Sequence, residues 1–165
     1  MRAFAIDAFD FCRLRERAEG EVAIAELGRL AAEGVDASGV LQWSLHGDAD
    51  QFGHTRLRLS VTGTMQLMCQ RCLTPFAHRI ATQSVLILAP DEDAADSIEE
   101  LLQDDAVDVI VVAKQLDVML LVEDDALLAL PFAPKHENCP GQETVERLQG
   151  AKKPSPFAAL KDLKQ

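Results

Sequence analysis

The chain has 165 residues, of which 48% are hydrophobic and 26% are charged. This length and balance are typical of one globular domain and exclude wholesale disorder. No apolar run approaches the roughly 20 residues that a membrane helix needs, and charges interrupt the first fifteen residues where a signal peptide would have its apolar core. With only four cysteines, we expect a reduced, cytoplasmic protein without a disulfide framework.

The net charge of −11 is distributed unevenly along the chain. The stretch from Asp91 to Asp125 holds thirteen acids and one base, Lys114, which gives −12, whereas the remainder has a net charge of +1. Residues 52–90 contain no acid. Such asymmetry is a guide to binding partners. The alternative interpretation is a solvated acidic surface that keeps the protein soluble.

The first half of the chain predicts a short helix followed by strands. Apolar spacing over residues 21–33 predicts the helix, and Gly34 ends it. Alternation over residues 41–45 predicts a half-buried strand. Over residues 57–69 apolar side chains hold the odd positions except Gly63, which predicts a long strand with a bulge or a close backbone approach there.

The second half adds a return strand, an acidic insertion and a helix. Residues 76–89 read as the partner of the long strand, so that the intervening turn forms a hairpin tip. The acidic insertion, about 91–105, is predicted as a loop or a weak helix, and a strand is predicted over 107–112. Leucine spacing predicts a helix over 116–130 with its acids on the face opposite the leucines.

These elements predict an α+β fold. It consists mainly of an antiparallel β-sheet, with an N-terminal helix, a C-terminal helix and the acidic insertion. Residues 1–150 form the single domain, and residues 151–165 form a flexible basic C-terminal tail. The apolar residues of that tail, Phe157, Leu160 and Leu163, are three apart.

Two closely spaced ligand pairs predict a metal site. Cys69 and Cys72 are two residues apart at the predicted hairpin tip, and His136 and Cys139 have the same spacing after the last helix. Four such ligands suit tetrahedral zinc, which would be structural here. The alternative is that the cysteines are small buried hydrophobes. Thioredoxin-like redox chemistry is less favoured, because the motif leads into Pro75 and a strand and not into a helix.

The basic segment from His54 to Arg79 is the candidate nucleic-acid surface. Arginine forks onto phosphates and stacks on bases, although only Phe76 among aromatic residues lies close by. The alternative is an ordinary polar sheet face. The predicted RNA-binding residues are Arg56, Arg58, Arg71, Arg79, Lys152 and Lys153.

Motifs of enzymes are missing from the sequence. It contains no nucleophile elbow, no phosphate-binding glycine loop and no His-Glu-x-x-His pattern, so a catalytic function is not expected. Glu123, Asp124 and Asp125 could hold Mg²⁺, but an acidic helix face that binds a partner is the interpretation we prefer.

Four motifs in fixed order resemble those of a known family. They are Cys69-Gln-Arg-Cys72-Leu-Thr-Pro75-Phe76, the run from Leu121 to Pro131 that includes Glu123-Asp124, Pro134-x-His136 leading to Cys139, and Lys153-Pro-Ser-Pro-Phe-Ala-Ala-Leu160. They are similar to the YceD family, the large ribosomal RNA subunit accumulation proteins, from about residue 61 to the end.

The resemblance implies a non-enzymatic cytoplasmic factor for synthesis, processing or stability of 23S rRNA. Its expected partners are 23S rRNA or the pre-50S particle. The alternative is a protein-interaction adaptor, whose acidic residues 91–125 bind a basic ribosomal protein or assembly factor. The two hypotheses differ in salt dependence, because direct RNA binding weakens steeply as salt rises.

Overall fold

A computed structural model describes residues 4–102, 107–112 and 114–139. The strands are β1 (Ala5–Asp7), β2 (Arg17–Ala23), β3 (Val40–Ala49), β4 (Thr55–Met68), β5 (Pro75–Ala89), β6 (Asp108–Val111) and β7 (Gln115–Asp117). The α-helices are α1 (Ala8–Arg13), α2 (Gly28–Glu33), α3 (Glu92–Leu102) and α4 (Val118–Leu128). None of the helices in these ranges is long and apolar enough to cross a membrane.

The fold is α+β, as predicted. Five strands form one sheet in the order β2-β3-β4-β5-β6, in which the first four are antiparallel neighbours. β6 is parallel to β5. A parallel pair requires a crossover connection, and here that connection contains α3. β1 and β7 form a separate antiparallel pair.

The long hairpin of β4 and β5 follows from the alternating sequence. Its pairing runs without interruption from Arg56 opposite Ile87 to Met68 opposite Pro75. Gly63 marks a close backbone approach, as predicted, and the continuous register needs no bulge. A Cβ atom at Gly63 would lie 2.7 Å from the carbonyl oxygen of Val40, so only glycine fits there.

One face of the sheet forms the core together with α1, α2 and α4. The odd-numbered residues of β4 point into it, which is the predicted orientation. The leftover cysteine, Cys12, is also buried, and its thiol donates to the carbonyl of Arg56 at 3.3 Å. Burial raises the pKa of Cys12 to about 11, so this thiol is an unreactive core residue.

The predicted N-terminal helix over residues 21–33 is wrong over its first half. Residues 21–23 belong to β2, where Val22 pairs with Leu41, and a 3-10 turn follows at Ile24–Glu26. Only Gly28–Glu33 is α-helical. Residues 21–23 pair with β3 although their apolar spacing is helical. A short helix alone does not offset the cost of helix nucleation, so the tertiary pairing decides.

The acidic insertion is ordered where the structure describes it, since α3 occupies most of it. The predicted C-terminal helix is confirmed as α4, but its faces were wrongly assigned. Glu123 is 3% exposed and lies among the buried residues of the helix, whereas Leu120, one of the leucines predicted to share the apolar face, is 45% exposed. The helix is apolar around most of its circumference, so leucine spacing alone does not identify the buried side.

Glu123 is buried because it caps another helix. Its Oε1 accepts hydrogen bonds from the backbone N–H groups of Arg29 (2.8 Å) and Leu30 (3.2 Å), at the start of α2. Its Oε2 accepts from the Arg29 guanidinium at 2.8 Å. Leu27, at the N-cap position of α2, has no side-chain acceptor of its own. Burial opposes ionisation of Glu123, but these donors prevail and lower its pKa.

A second carboxylate fixes α4 to the sheet. Asp125 accepts hydrogen bonds from the hydroxyls of Thr82 and Ser84 on β5. The neighbouring Asp124 pairs with Arg29 at 2.6 Å and is about half exposed. The three consecutive acids of α4 therefore connect it to α2 and to β5.

We predict that Glu123→Ala destabilises the fold by about 2 kcal/mol, because it leaves the buried N–H of Leu30 and the partly buried N–H of Arg29 without an acceptor. Asp124→Ala is the matched control. It removes an exposed partner of the same arginine and should cost less than about 1 kcal/mol. Urea unfolding of both variants measures the difference. Equal costs would contradict the capping role.

Candidate metal centre and basic sheet face

The four predicted metal ligands lie together in the structure. Cys69 and Cys72 come from the turn between β4 and β5, and His136 and Cys139 come from the segment after α4. One ligand atom from each residue lies within 4.8 Å of all the others. The sequence spacing therefore predicted a cluster formed by two segments more than sixty residues apart.

The separations suit a tetrahedral metal ion. Sγ of Cys69 lies 3.7 Å from Sγ of Cys139, and Nδ1 of His136 lies 3.3 Å from Sγ of Cys72 and 3.8 Å from Sγ of Cys139. Two sulfurs bonded to zinc at about 2.3 Å in a tetrahedron stand about 3.8 Å apart. Small shifts would bring all four atoms to bonding distance of one ion.

The hairpin turn is shaped to present its two thiols. The N–H of Leu73 donates to the carbonyl of Cys69 at 2.9 Å, and the N–H of Cys69 donates to the carbonyl of Thr74 at 3.1 Å. Leu73 has a φ of 57°, which is costly for a residue with a branched side chain. Strain of this kind is typical of ligand sites, where the surrounding structure holds the backbone in place.

The second ligand segment is attached to the turn by several contacts besides the ligands. The N–H of Gln70 donates to the carbonyl of Pro134 at 2.8 Å, and the rings of Phe76 and His136 lie 4.9 Å apart. Arg71 reaches across with two donors, Nε to Sγ of Cys139 (2.9 Å) and Nη2 to the carbonyl of His136 (3.2 Å).

The environment of the cluster favours the thiolate form of Cys69 and Cys72. Burial alone would raise the pKa of Cys69, but backbone N–H groups of Cys72, His136 and Arg71 donate to its sulfur and lower the pKa to about 5. Thr74 donates to Cys72 and lowers its pKa as well. Burial raises the pKa of Cys139, against the effect of the Arg71 guanidinium. Donors around a sulfur are the usual outer shell of a metal-bound thiolate.

The donor set decides what this centre can do chemically. Three sulfurs and one imidazole nitrogen are soft or borderline ligands, which select zinc over magnesium or calcium. Four protein ligands complete a tetrahedron and leave no position for a substrate or a water. Such a closed site is suited to holding two segments of a chain together.

The basic residues of β4 are close together but partly neutralised. Arg56 and Arg58 point from the same strand face, as predicted, and both donate to the carboxylate of Asp48 on the adjacent strand β3. The side chain of Arg56 is 27% exposed and that of Arg58 is 51% exposed. Two guanidinium groups that share one carboxylate retain a net charge of +1.

The other predicted RNA-binding residues are separate from this pair. Arg79 is exposed on β5 opposite Thr64, and Arg71 lies at the metal cluster. Lys152 and Lys153, and the proposed tail 151–165, lie outside the described residues. Of the three acids predicted to bind a partner, Asp124 has a side chain that is about half exposed, although it pairs with Arg29. Glu123 is buried, and Asp125 bonds to β5.

Sequence reasoning missed two functional contacts. The ion pairs of Asp48 with Arg56 and Arg58 were not predicted, although they follow from the register once β3 is paired with β4. The contact of Arg71 with Cys139 gave no sequence pattern, since the two residues are 68 positions apart. The one sequence feature that indicated this contact was the position of Arg71 between the ligands Cys69 and Cys72.

The fold and the cluster define a class of protein, an α+β protein with a Cys₃His cluster at the tip of its longest hairpin. Residues 57–164 match the sequence profile of the family described as Large ribosomal RNA subunit accumulation protein YceD. A protein of that name from Haemophilus influenzae is 32% identical over 155 residues, which cover 88% of this chain and 86% of the relative. The chain therefore belongs to the YceD family. No solved structure matches it.

The ion pairs of Asp48 predict how stability depends on pH. The guanidinium of Arg56, together with that of Arg58, lowers the pKa of Asp48 to about 2 from an ordinary 3.8. A carboxylate with a depressed pKa stabilises the fold above its unfolded pKa, and this contribution disappears as pH falls from about 4 to about 2. Asp48→Asn should lower the free energy of unfolding at pH 7. It should also reduce how much that free energy falls between about pH 4 and about pH 2.

Urea unfolding between pH 7 and pH 2.5 measures this dependence. Asp10→Asn is the control, because Asp10 forms an ion pair with Arg13 in which both side chains are more than half exposed. If the free energy of unfolding falls equally with pH in Asp48→Asn and in the parent chain, the prediction is contradicted.

Proposed function

We propose that this chain is a non-enzymatic cytoplasmic factor in large-subunit ribosome biogenesis, which supports synthesis, processing or stability of 23S rRNA. The observation that carries the proposal is the family membership, since both the family and its Haemophilus influenzae relative are named for accumulation of the large ribosomal RNA subunit. The closed geometry of the Cys₃His cluster supports a non-catalytic role for that site.

We further propose that the chain contacts rRNA through the outward face of β4 and β5. This face carries Arg58 and Arg79, separated along the sheet by six positions, or about 20 Å. Between them lie the hydroxyl and amide side chains of Ser60, Thr62 and Gln83. Acidic residues are missing from the whole stretch 52–90. Guanidinium groups bordering a strip of hydrogen-bonding side chains suit a phosphate backbone.

The composition of this face indicates how RNA would be bound. Among the described residues, no outward position of β4 or β5 carries an aromatic ring, and Phe76 points to the opposite face, where it pairs with Leu67. Stacking of unpaired bases is therefore not available on this face. Contact with phosphates and riboses of structured RNA fits better, and it gives weak sequence preference.

Binding of purified 23S rRNA by the full chain at several salt concentrations tests this proposal. We expect Arg58→Ala and Arg79→Ala each to weaken binding and to reduce the slope of log K against log salt by about 1. Arg13→Ala on α1 is the matched control, since Arg13 is an exposed arginine outside the sheet. Lys152→Ala and Lys153→Ala test the predicted contribution of the tail in the same assay.

Binding that is unaffected by Arg58→Ala and Arg79→Ala would reject this surface. Binding that does not weaken with salt would reject phosphate contact altogether. Crosslinking in growing cells gives the second readout: rRNA fragments attached to the chain support direct binding. Ribosomal proteins attached without RNA would transfer the proposal to the adaptor alternative.

The adaptor alternative has one supporting observation. α3 presents exposed carboxylates, among them Asp93, Asp96, Glu99 and Glu100, within the segment that has a net charge of −12. A dense acidic surface attracts basic proteins such as those of the ribosome. In that case the basic partner would be lost when α3 is neutralised and retained when Arg58 and Arg79 are changed.

We also propose that the Cys₃His cluster binds one structural zinc ion. Zinc would be held by Cys69, Cys72, His136 and Cys139, and its bonds would join the segment after α4 to the tip of the hairpin. Arg71 would compensate part of the charge of three thiolates through its hydrogen bond to Cys139. The unusual φ of Leu73 supports a ligand turn held by more than local interactions.

Zinc content and thermal unfolding test this second proposal. We expect about one zinc ion per chain and a lower melting temperature after removal of the metal by a chelator. Cys72→Ala should lose the zinc, whereas Cys12→Ala, a change of a core cysteine, should retain it. A chain that purifies without zinc and melts at the same temperature with and without added zinc would exclude the site.

A further inference from the structure

A groove lies between α4 and the strands β5 and β6. Its volume is about 590 Å³, and its walls include the apolar side chains of Leu86, Ile110, Leu121 and Leu128. Leu128 is 87% exposed, which is unusual for a leucine on a helix that packs against a sheet. This groove is separate from the Cys₃His cluster and from the outward face of β4 and β5.

The polar residues of the groove carry negative charge. Asp108, Asp124 and Asp125 line it together with the apolar residues. Asp108 is exposed at the start of the edge strand β6, and Asp124 is about half exposed. The surrounding segment, from Asp91 to Asp125, has a net charge of −12. An occupant must therefore combine apolar anchors with positive charge, and RNA would be repelled from this surface.

The end of the chain combines these properties. Residues 140–165 lie outside the described structure, and within them Phe157, Leu160 and Leu163 are apolar and three positions apart. Residues 151–165 hold four lysines, Lys161 and Lys164 among them, against one acid, Asp162, which gives a net charge of +3. Eighteen positions separate Cys139 from Phe157, a reach of up to about 60 Å. A domain of this size is about 40 Å across. The match to the family profile extends to residue 164, so this end is part of what the family shares.

We propose that residues 157–163 bind in the groove between α4 and β5–β6 of the same chain. Phe157, Leu160 and Leu163 contact the apolar walls, and Lys161 and Lys164 lie near the carboxylates of the rim. Because exposed charges contribute to this attraction, the contact weakens as salt rises. A protein that uses the groove would have to displace the chain's own C-terminal segment.

Photo-crosslinking in the full chain tests the proposal. Leu128→p-benzoyl-Phe places a crosslinker at an exposed position of the groove, and mass spectrometry identifies the attachment site. We expect attachment to residues 157–163. A mixture of ¹⁴N- and ¹⁵N-labelled chains distinguishes crosslinks within one chain from those between two. Leu101→p-benzoyl-Phe on α3 is the matched control, since Leu101 is an exposed leucine (56%) outside the groove.

A second measurement uses the competing segment itself. A fluorescent synthetic peptide of residues 151–165 should bind the triple variant Phe157→Asp, Leu160→Asp, Leu163→Asp at least tenfold more tightly than the parent chain, whose own segment occupies the groove. Leu128→Asp added to that variant should abolish peptide binding. Circular dichroism of each variant confirms that the fold is retained.

Three outcomes would overturn the proposal. Crosslinks confined to pairs of different chains would assign the groove to a second copy. Crosslinks from position 128 that avoid residues 157–163 would exclude this segment, and equal peptide affinity for parent and triple variant would exclude competition. Zinc content and rRNA binding are measured on the same preparations, so a failure here is distinguishable from a failure of the proposed function.

Discussion

The pairing of β4 with β5 is the constraint on which the rest of the molecule depends. One end of this hairpin forms the strained turn that presents Cys69 and Cys72. Its inner face provides the hydroxyls of Thr82 and Ser84 that fix Asp125 of α4, and its outer face carries the arginines. A shift of one residue in register would exchange these faces and separate every one of these contacts, because side chains alternate along a strand.

Features that depend on local spacing could be predicted from the sequence. The alternation over residues 57–69 fixed the orientation of β4, and two residues between each pair of ligands identified the Cys₃His cluster. The polar contacts that single side chains make with distant residues could not be predicted. The end of β2, residues 21–23, looks helical until β3 provides its hydrogen bonds. Glu123 looks solvent-exposed until Arg29, 94 positions earlier, provides its donors. Asp48 reduces the charge of Arg56 and Arg58 only because the register of two strands brings it beside them.

Acidic residues serve two physical purposes in this chain. The three carboxylates of α4 contribute to the fold, since they cap α2, pair with Arg29 and bond to β5. Those of α3 face solvent and create a surface that repels RNA and attracts cations. The outward face of β4 and β5 has the opposite character. Net charge alone is therefore a poor guide to the partners of this chain, because it averages over surfaces of opposite charge.

Zinc in the Cys₃His cluster would fix the segment after α4 to the hairpin tip. Its four bonds would add to a hydrogen bond from Gln70, a ring contact and the two donors of Arg71. X-ray absorption at the zinc edge of the full chain, purified without added metal, measures this coordination directly. We expect three sulfur ligands at about 2.3 Å and one nitrogen at about 2.0 Å. A shell of oxygen and nitrogen only, or the absence of a zinc edge, would contradict the proposed centre.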